Sequence, residues 1–191
     1  MFAPYRLASN SLEVTMNATP LDLQHALRER ARSLVHASAL ARHSHAGIEI
    51  KHLDWWSRSI PLSHGRHSTG YTPTWPGQAL LPVESRLERH VLKALSGGPD
   101  CAALATQPVT IHYTAGGDKR SYTPDILVAY ACKATRKLDC FFIEVKTKHQ
   151  ADRYRYKLKE RQAAVVLSTA LPLVVITEND LTETGENGHV S

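Results

Sequence analysis

The chain has 191 residues, of which 42% are hydrophobic and 21% are charged. These values are typical of a globular protein with one substantial core, and they exclude a low-complexity or disordered chain. The formal charge of +5 favours a nucleic-acid partner, although an ordinary basic protein explains the charge equally well.

The three cysteines form no Cys-x-x-Cys pair. Their number and spacing indicate a reducing compartment and argue against a disulfide framework or a zinc site. No run of 18 apolar residues is present, so no membrane span is expected. The amino terminus also lacks a secretory apolar segment, and we therefore expect a cytoplasmic protein.

Residues 1–54 are expected to be an amino-terminal helical extension. From Pro20 to about Ser44, leucines and alanines recur at roughly helical spacing with arginines between them. Such a helix either touches DNA or packs on the core with a solvated face, and the second interpretation is favoured. The next stretch, residues 57–78, is rich in Gly, Pro, Ser and Thr and predicts a loop. Its basic residues Arg58 and Arg66 are candidates for phosphate contact.

Residues 85–95 predict a helix that ends at two glycines, and a short strand is expected over residues 79–83. Glu88 lies beside the apolar stripe of this helix and therefore faces the protein. The local pattern Ser85-x-x-Glu88 favours a capping box. Alternatively, Glu88 is a third acidic group of a functional site, with Glu84 as the fallback.

Three strands are expected in the middle of the chain. Residues 109–113 and 120–130 predict a hairpin through Gly116-Gly117, and the run from Phe141 to Lys146 predicts the third strand. Because residues 131–137 are a polar connection, the second and third strands are also expected to pair.

Charged side chains interrupt these apolar runs at two places. Asp125 stands at the entry to one strand, while Glu144 and Lys146 are two residues apart on the next and therefore share a face. The predicted pairing brings the three together at the end of a central sheet. Buried charges of this kind are costly unless they are paired or bind an ion. The pattern therefore predicts a divalent cation held by two carboxylates, and the alternative is a structural network of ion pairs.

The carboxy-terminal part predicts a helix over residues 152–169 and a strand over residues 171–177, which together make a crossover to a parallel strand. The first half of the helix is dense in basic residues with tyrosines between them. Lys148, Arg153 and Arg155 are therefore candidates for DNA contact, although a solvated helix face explains the pattern equally well. Residues 182–191 are expected to be a flexible tail.

Four blocks of sequence resemble, in chain order, the TnsA-like endonuclease subunit of Tn7-like heteromeric transposases. They are residues 84–89, Gln107-Pro108, residues 120–125 and residues 143–146. The last two blocks spell the Pro-Asp and Glu-x-Lys signature of the PD-(D/E)XK nuclease superfamily. The resemblance implies an α/β fold with a restriction-endonuclease-like core, in which helices flank a central mixed β-sheet. It implies that the nuclease domain spans residues 55–181.

The resemblance also implies roles for single residues. Asp125, Glu144, Lys146 and Glu88 are the expected catalytic residues. Asp125, Glu144, the backbone carbonyl of Val145 and Glu88 are expected to hold Mg²⁺, for which Mn²⁺ can substitute. Gln107 is expected either to support the catalytic strand or to be an amide satisfied in the core.

The expected function is a metal-dependent endonuclease that cuts double-stranded DNA at transposon ends. The resemblance implies two partners, an RNase H-like transposase subunit and an ATP-dependent regulator. Two alternatives remain: a stand-alone restriction or phage-defence nuclease, and a non-catalytic DNA-binding or assembly module.

Overall fold

The computed structural model describes residues 26–34, 47–55, 70–74, 80–132 and 137–182. Its helices are α1 (residues 26–34), α2 (Arg86–Ser96), α3 (Lys148–Arg153), α4 (Arg155–Thr169) and α5 (Glu178–Thr182). Its strands are β1 (Ile48–Trp55), β2 (Gly70–Thr72), β3 (Leu81–Val83), β4 (Cys101–Thr106), β5 (Val109–Ala115), β6 (Asp118–Tyr122), β7 (Ile126–Cys132), β8 (Lys137–Val145) and β9 (Leu173–Ile176). No helix in these ranges is both long enough and apolar enough to span a bilayer.

A four-stranded sheet in the order β4-β7-β8-β9 forms the centre of the fold. The first three strands run antiparallel, whereas β9 is parallel to β8. The expected hairpin of β7 and β8 is present, and α4 makes the expected crossover to β9. The predicted α/β class with a central mixed sheet is therefore confirmed.

A second sheet, in the order β1-β5-β6, lies on one face of the central sheet. Its buried side chains pack with α4 and with Phe142 of β8. Strand β1 pairs with β5 from Ile48 to Trp55, so this strand crosses the expected boundary at residue 55 and belongs to the sheet.

The opposite face of the central sheet is covered by α1 and α2. A hydrophobic core cluster fills the space between them. It contains the alternate β8 residues Phe141, Ile143 and Val145, together with Leu27 of α1 and Leu92 of α2. Each fully buried side chain of this kind stabilises the fold by about 1.5–3 kcal/mol. Alternation then directs Glu144 to the other face, toward β6 and α4, as the sequence predicts.

Helix α1 packs on the core through Leu27 and Ala31, which are one turn apart and buried. Its arginines make ion pairs with the body of the protein: Arg28 with Asp139 at 2.9 Å and Arg30 with Asp180 at 2.7 Å. In the described part of this segment, the favoured interpretation of a helix packed on the core therefore holds. The rest of the Pro20–Ser44 prediction lies outside the described residues.

The expected single strand over residues 120–130 is wrong. The chain leaves β6 at Tyr122 and enters β7 at Ile126, and the two strands belong to different sheets. Pro124 lies at the break, where its missing N–H and its fixed φ interrupt the ladder. The break sets Asp125 just outside β7.

Other predictions need smaller corrections. The predicted loop over residues 57–78 contains strand β2, which pairs with β3. The predicted helix over residues 152–169 is two helices, because Tyr154 ends α3 and begins α4 with a φ of −104°. Strand β4 is absent from the sequence prediction. The predicted tail, apart from Thr182, lies outside the described residues.

Candidate active site

Two strand ends bring Asp125 and Glu144 together. Ile126 pairs with Ile143 in the β7–β8 ladder, so the preceding residue on β7 faces the following residue on β8. The Asp125 carboxylate accepts a hydrogen bond of 2.8 Å from the backbone N–H of Val145. The predicted juxtaposition of the two acids at the sheet end is therefore present in the structure.

The ammonium group of Lys146 lies among the oxygen atoms that the sequence nominates as metal ligands. Its Nζ atom is 3.0 Å from Glu144 Oε1 and 3.4 Å from Asp125 Oδ2. It also donates to the backbone carbonyl of Val145 at 3.0 Å. Three oxygens, one from Asp125 and two from the consecutive residues Glu144 and Val145, thus converge on one cationic atom. A set of carboxylate and carbonyl oxygens is the donor set that Mg²⁺ prefers, so these residues fit that ion.

Glu144 is buried, with only 1% of its surface exposed, and it has two further partners. The hydroxyl of Tyr122 donates to Oε2, and the guanidinium of Arg161 donates to Oε1 at 3.0 Å. The same guanidinium lies over the Tyr122 ring, 4.7 Å from its centroid. Tyr122 from β6 and Arg161 from α4 therefore hold the carboxylate from the side of the second sheet.

Neither Tyr122 nor Arg161 was assigned to the site from sequence. The available signals were weak: Tyr122 lies inside the block that ends at Asp125, and Arg161 comes directly before the buried face of α4 at Ala163–Val165. Both contacts depend on how the second sheet and α4 dock on β8, which local patterns do not specify.

The burial of these charges shifts their proton affinities. Burial raises the pKa of Asp125 to about 7, and the nearby charges of Glu144 and Glu88 add to the rise. For Lys146, burial lowers the pKa, but Asp125 and Glu144 outweigh it and leave the pKa above its usual range. Tyr122 has a raised pKa because it is buried next to Glu144 and Asp125. Acids with raised pKa values in a cleft are characteristic of functional sites.

Glu88 has features of both interpretations that the sequence left open. Ser85 caps α2 by accepting from the N–H of Glu88 at 3.1 Å, and the Glu88 carboxylate accepts from Ser85 Oγ and from the N–H of Glu84. This is close to a capping box, except that the return bond reaches the residue before the cap. Its charge nevertheless contributes to the raised pKa of Asp125, and Glu84 lines the same cleft as Asp125.

Gln107 lies at the end of β4, directly beside Asp125. Its backbone N–H donates to the Asp125 carbonyl at 2.9 Å, and its φ of 46° is unusual for a residue other than glycine. The side chain is buried, and its Oε1 has no hydrogen-bond partner among the described residues.

The predicted DNA-contacting residues of α3 and α4 lie on the surface. Lys148, Arg153 and Arg155 are all exposed, and the guanidinium of Arg155 stacks over the exposed ring of Tyr156 at 4.8 Å. Lys148 pairs with Asp152 at 3.0 Å. Arg58 and Arg66, the candidates from the basic loop, lie outside the described residues.

Comparison with known families identifies the region that carries this site. Residues 98–178 match the sequence model described as "TnsA-like endonuclease N terminal". The match contains Gln107, Asp125, Glu144 and Lys146, whereas Glu84 and Glu88 precede it. No curated protein matches the chain. The family implies a DNA substrate and dependence on a divalent metal ion. The resemblance to TnsA-like endonucleases is therefore confirmed over residues 98–178, which contain three of the four sequence blocks; residues 84–89 precede the match.

Proposed function

We propose that this protein is a Mg²⁺-dependent endonuclease that hydrolyses phosphodiester bonds at transposon ends as one subunit of a heteromeric transposase. The single observation that carries the proposal is the convergence of Asp125, Glu144 and the Val145 carbonyl on one cationic atom. The family match over residues 98–178 supports a nuclease in Tn7-like transposition.

Asp125, Glu144 and the Val145 carbonyl would hold the ion. When bound, Mg²⁺ or Mn²⁺ supplies a Lewis acid for the scissile phosphate and a more acidic bound water. Arg161 and Tyr122 keep Glu144 in position, since each donates to a different oxygen of the carboxylate. The backbone N–H of Val145 does the same for Asp125.

Lys146 is proposed to stabilise the negative charge that develops on the phosphate, or to orient the attacking water. Its side chain is about one quarter exposed, and the cleft beside it is open. The flexible stem allows the ammonium to move toward a bound phosphate while staying next to the carboxylates. Its raised pKa means that it carries its charge at neutral pH.

Glu88 and Gln107 are proposed as supporting groups. The charge of Glu88 already acts on Asp125, and its carboxylate is held at the first turn of α2 by Ser85. Gln107 fixes the backbone of Asp125 and offers a buried amide oxygen without a partner among the described residues.

The exposed surface of α3 and the start of α4 is proposed as the DNA-contacting surface, through Lys148, Arg153 and Arg155. Basic groups beside exposed tyrosine rings suit a nucleic-acid backbone. Replacing Arg153 and Arg155 by Ala is expected to weaken DNA binding and to lower the salt dependence by about one unit of slope per lost phosphate contact. An unchanged salt slope in filter binding or anisotropy would assign these residues to a solvated face.

The partners proposed for transposition are an RNase H-like transposase subunit and an ATP-dependent regulator, in the cytoplasm. The first partner is expected to cut the opposite DNA strand, and this chain is expected to cut its own strand efficiently only when that partner is present. Efficient cutting without any partner would instead favour a stand-alone restriction or defence nuclease.

A plasmid-nicking assay tests the enzyme assignment. Supercoiled DNA is incubated with Mg²⁺ or Mn²⁺, with and without an RNase H-like transposase subunit, using the wild type, Asp125→Asn and the matched control Asp139→Asn. The control removes a carboxylate from the other end of the same hairpin. We expect cutting by the wild type and the control and none by Asp125→Asn. Equal cutting by all three proteins would overturn the proposal.

A further inference from the structure

A second cluster of metal-ligating side chains lies on β1 and β5, away from the carboxylates of β7 and β8. It consists of His52, Asp54 and His112, whose ligand atoms all lie within 4.8 Å of one another. The Nε2 atoms of His112 and His52 are 2.8 Å and 3.7 Å from the same oxygen, Oδ2 of Asp54. Both imidazoles therefore direct a ring nitrogen at one carboxylate.

The two imidazole rings are stacked, with centroids 4.2 Å apart and planes 10° from parallel. They belong to directly opposed residues of the β1–β5 ladder, where side chains of one face stand close together. Because the lone pair of an imidazole nitrogen lies in the ring plane, binding of one cation by both rings would require the rings to tilt away from their parallel stacking, and the exposed side chain of His52 has room to do so. The backbone thus already provides the approach of the three ligands.

A bulge in β1 creates this arrangement. Ile50 pairs with Tyr113 and His52 pairs with His112, so Lys51 is an extra residue in the strand. In a regular strand without the bulge, residue 52 would pair with Ile111 and would share the face of Ile50, away from His112. The extra residue moves both His52 and Asp54 to the face of His112. Bulges that redirect a side chain in this way are frequent next to functional sites.

From this geometry we propose that His52, Asp54 and His112 bind a divalent ion of the zinc class. Two imidazole nitrogens and one carboxylate oxygen suit Zn²⁺ and its neighbours, whereas Mg²⁺ prefers oxygen ligands alone. The absence of a cysteine pattern argued against zinc, but this ligand set uses no cysteine and is assembled from residues sixty positions apart in the chain.

The site would keep at least one coordination position open. It has three protein ligands, and His52 and Asp54 are both about half exposed, so solvent reaches the ion. Asp54 also stands opposite Thr110, which lines the cleft that contains Asp125. The open position is therefore available to water or to a phosphate oxygen of a nucleic acid that enters the cleft. The inference does not depend on nuclease activity.

Calorimetric titration of the full chain with Zn²⁺, in the presence of excess Mg²⁺, tests the proposal. The variant is His52→Asn with His112→Asn, and the matched control is His90→Asn with His149→Asn, which removes two exposed histidines of α2 and α3. The control shows how much zinc binding is lost when any two exposed histidines are removed, while the cysteines stay the same in all three proteins. Co²⁺ absorption in the visible region reports the ligand field of the same site.

We expect the wild type and the control to bind the same number of zinc ions. The double variant should lose one of them, or bind it at least tenfold more weakly, and should lose the corresponding Co²⁺ bands. Equal stoichiometry and affinity in all three proteins would overturn the proposal. If circular dichroism shows that the double variant is unfolded, the single variant His52→Asn replaces it, because the His52 side chain is exposed and its loss should not disturb folding. Unchanged zinc binding by His52→Asn would then contradict the site.

Discussion

The two ends of the β7–β8 hairpin both carry acids that face basic groups, yet they differ in kind. At one end Asp139, 37% exposed, pairs with Arg28 at 2.9 Å and Arg32 at 3.4 Å. At the other end Glu144, whose side chain is 2% exposed, contacts Lys146 and Arg161, each at 3.0 Å. Pairing is therefore common to both ends, and it does not by itself distinguish a structural cluster from a functional one.

The difference lies in burial and in where the oxygens point. The Asp139 cluster joins α1 to the sheet with forked guanidinium groups in partial contact with water, which screens the charges. At the Glu144 end, two carboxylates and a main-chain carbonyl surround one partly buried ammonium, and the pKa of Asp125 rises to about 7. Oxygen atoms that already converge on one ammonium group can bind a metal ion in its place.

The largest expected effect is on Mn²⁺ binding, which should depend on the acids at the Glu144 end of the hairpin and not on Asp139 at the other end. Asp125→Ala or Glu144→Gln should weaken Mn²⁺ binding by more than about 100-fold, since even changes to residues behind metal ligands cost 10–100-fold. The matched variant Asp139→Asn should bind Mn²⁺ like the wild type. Isothermal titration calorimetry measures both. Equal loss in Asp139→Asn would show that the two ends do not differ as described.

The second prediction concerns Arg161, which holds the Glu144 carboxylate in position but is not itself expected to bind the metal ion. Arg161→Ala should lower Mn²⁺ affinity by about 10- to 100-fold, because Glu144 then loses one of its donors. Arg161→Lys should recover part of the affinity, since it restores the charge. Calorimetry with the three proteins tests this role.

Arg28→Ala is the matched control for Arg161, because it removes the corresponding guanidinium at the Asp139 end. It should leave Mn²⁺ affinity unchanged and lower the free energy of unfolding by about 1–3 kcal/mol. If Arg161→Ala changed only stability, as Arg28→Ala should, Arg161 would be a structural residue and not a positioning residue of the site.

The third prediction uses the raised pKa of Asp125, from 3.8 to about 7. With metal removed, the folded state holds a proton that the unfolded state releases between these two values, so the contribution of Asp125 to stability falls as pH rises through this window. Asp125→Asn should therefore be more stable than the wild type above pH 7, by on the order of a few kcal/mol, because one unit of pKa shift corresponds to about 1.4 kcal/mol. The advantage should vanish toward pH 4.

Urea unfolding of both proteins in EDTA at several pH values measures this difference. Asp139→Asn serves as the comparison at the other end and should gain no stability at any pH, because it loses its contacts with Arg28 and Arg32. A destabilised Asp125→Asn protein at pH 8 would contradict the account of the buried acids.

The sequence predicts the hairpin and its acids well, because Asp125 and Glu144 interrupt strongly apolar strands. It does not predict Arg161 or Tyr122 as partners, since those contacts arise between α4, β6 and β8 after the layers pack. Strand β4, Cys-Ala-Ala-Leu-Ala-Thr, is rich in alanine and contains a single β-branched residue, Thr106, so its composition gives little indication of a strand. Strand β1 loses its alternation at the Lys51 bulge, and that loss conceals the pairing of His52 with His112.

A crystal structure with Mn²⁺ soaked in and located by its anomalous signal tests the central claim most directly. The account predicts an ion bonded to Asp125, Glu144 and the Val145 carbonyl, with the Lys146 ammonium moved off these oxygens. A saturating soak that left Lys146 in contact with both carboxylates, with no ion between them, would contradict it.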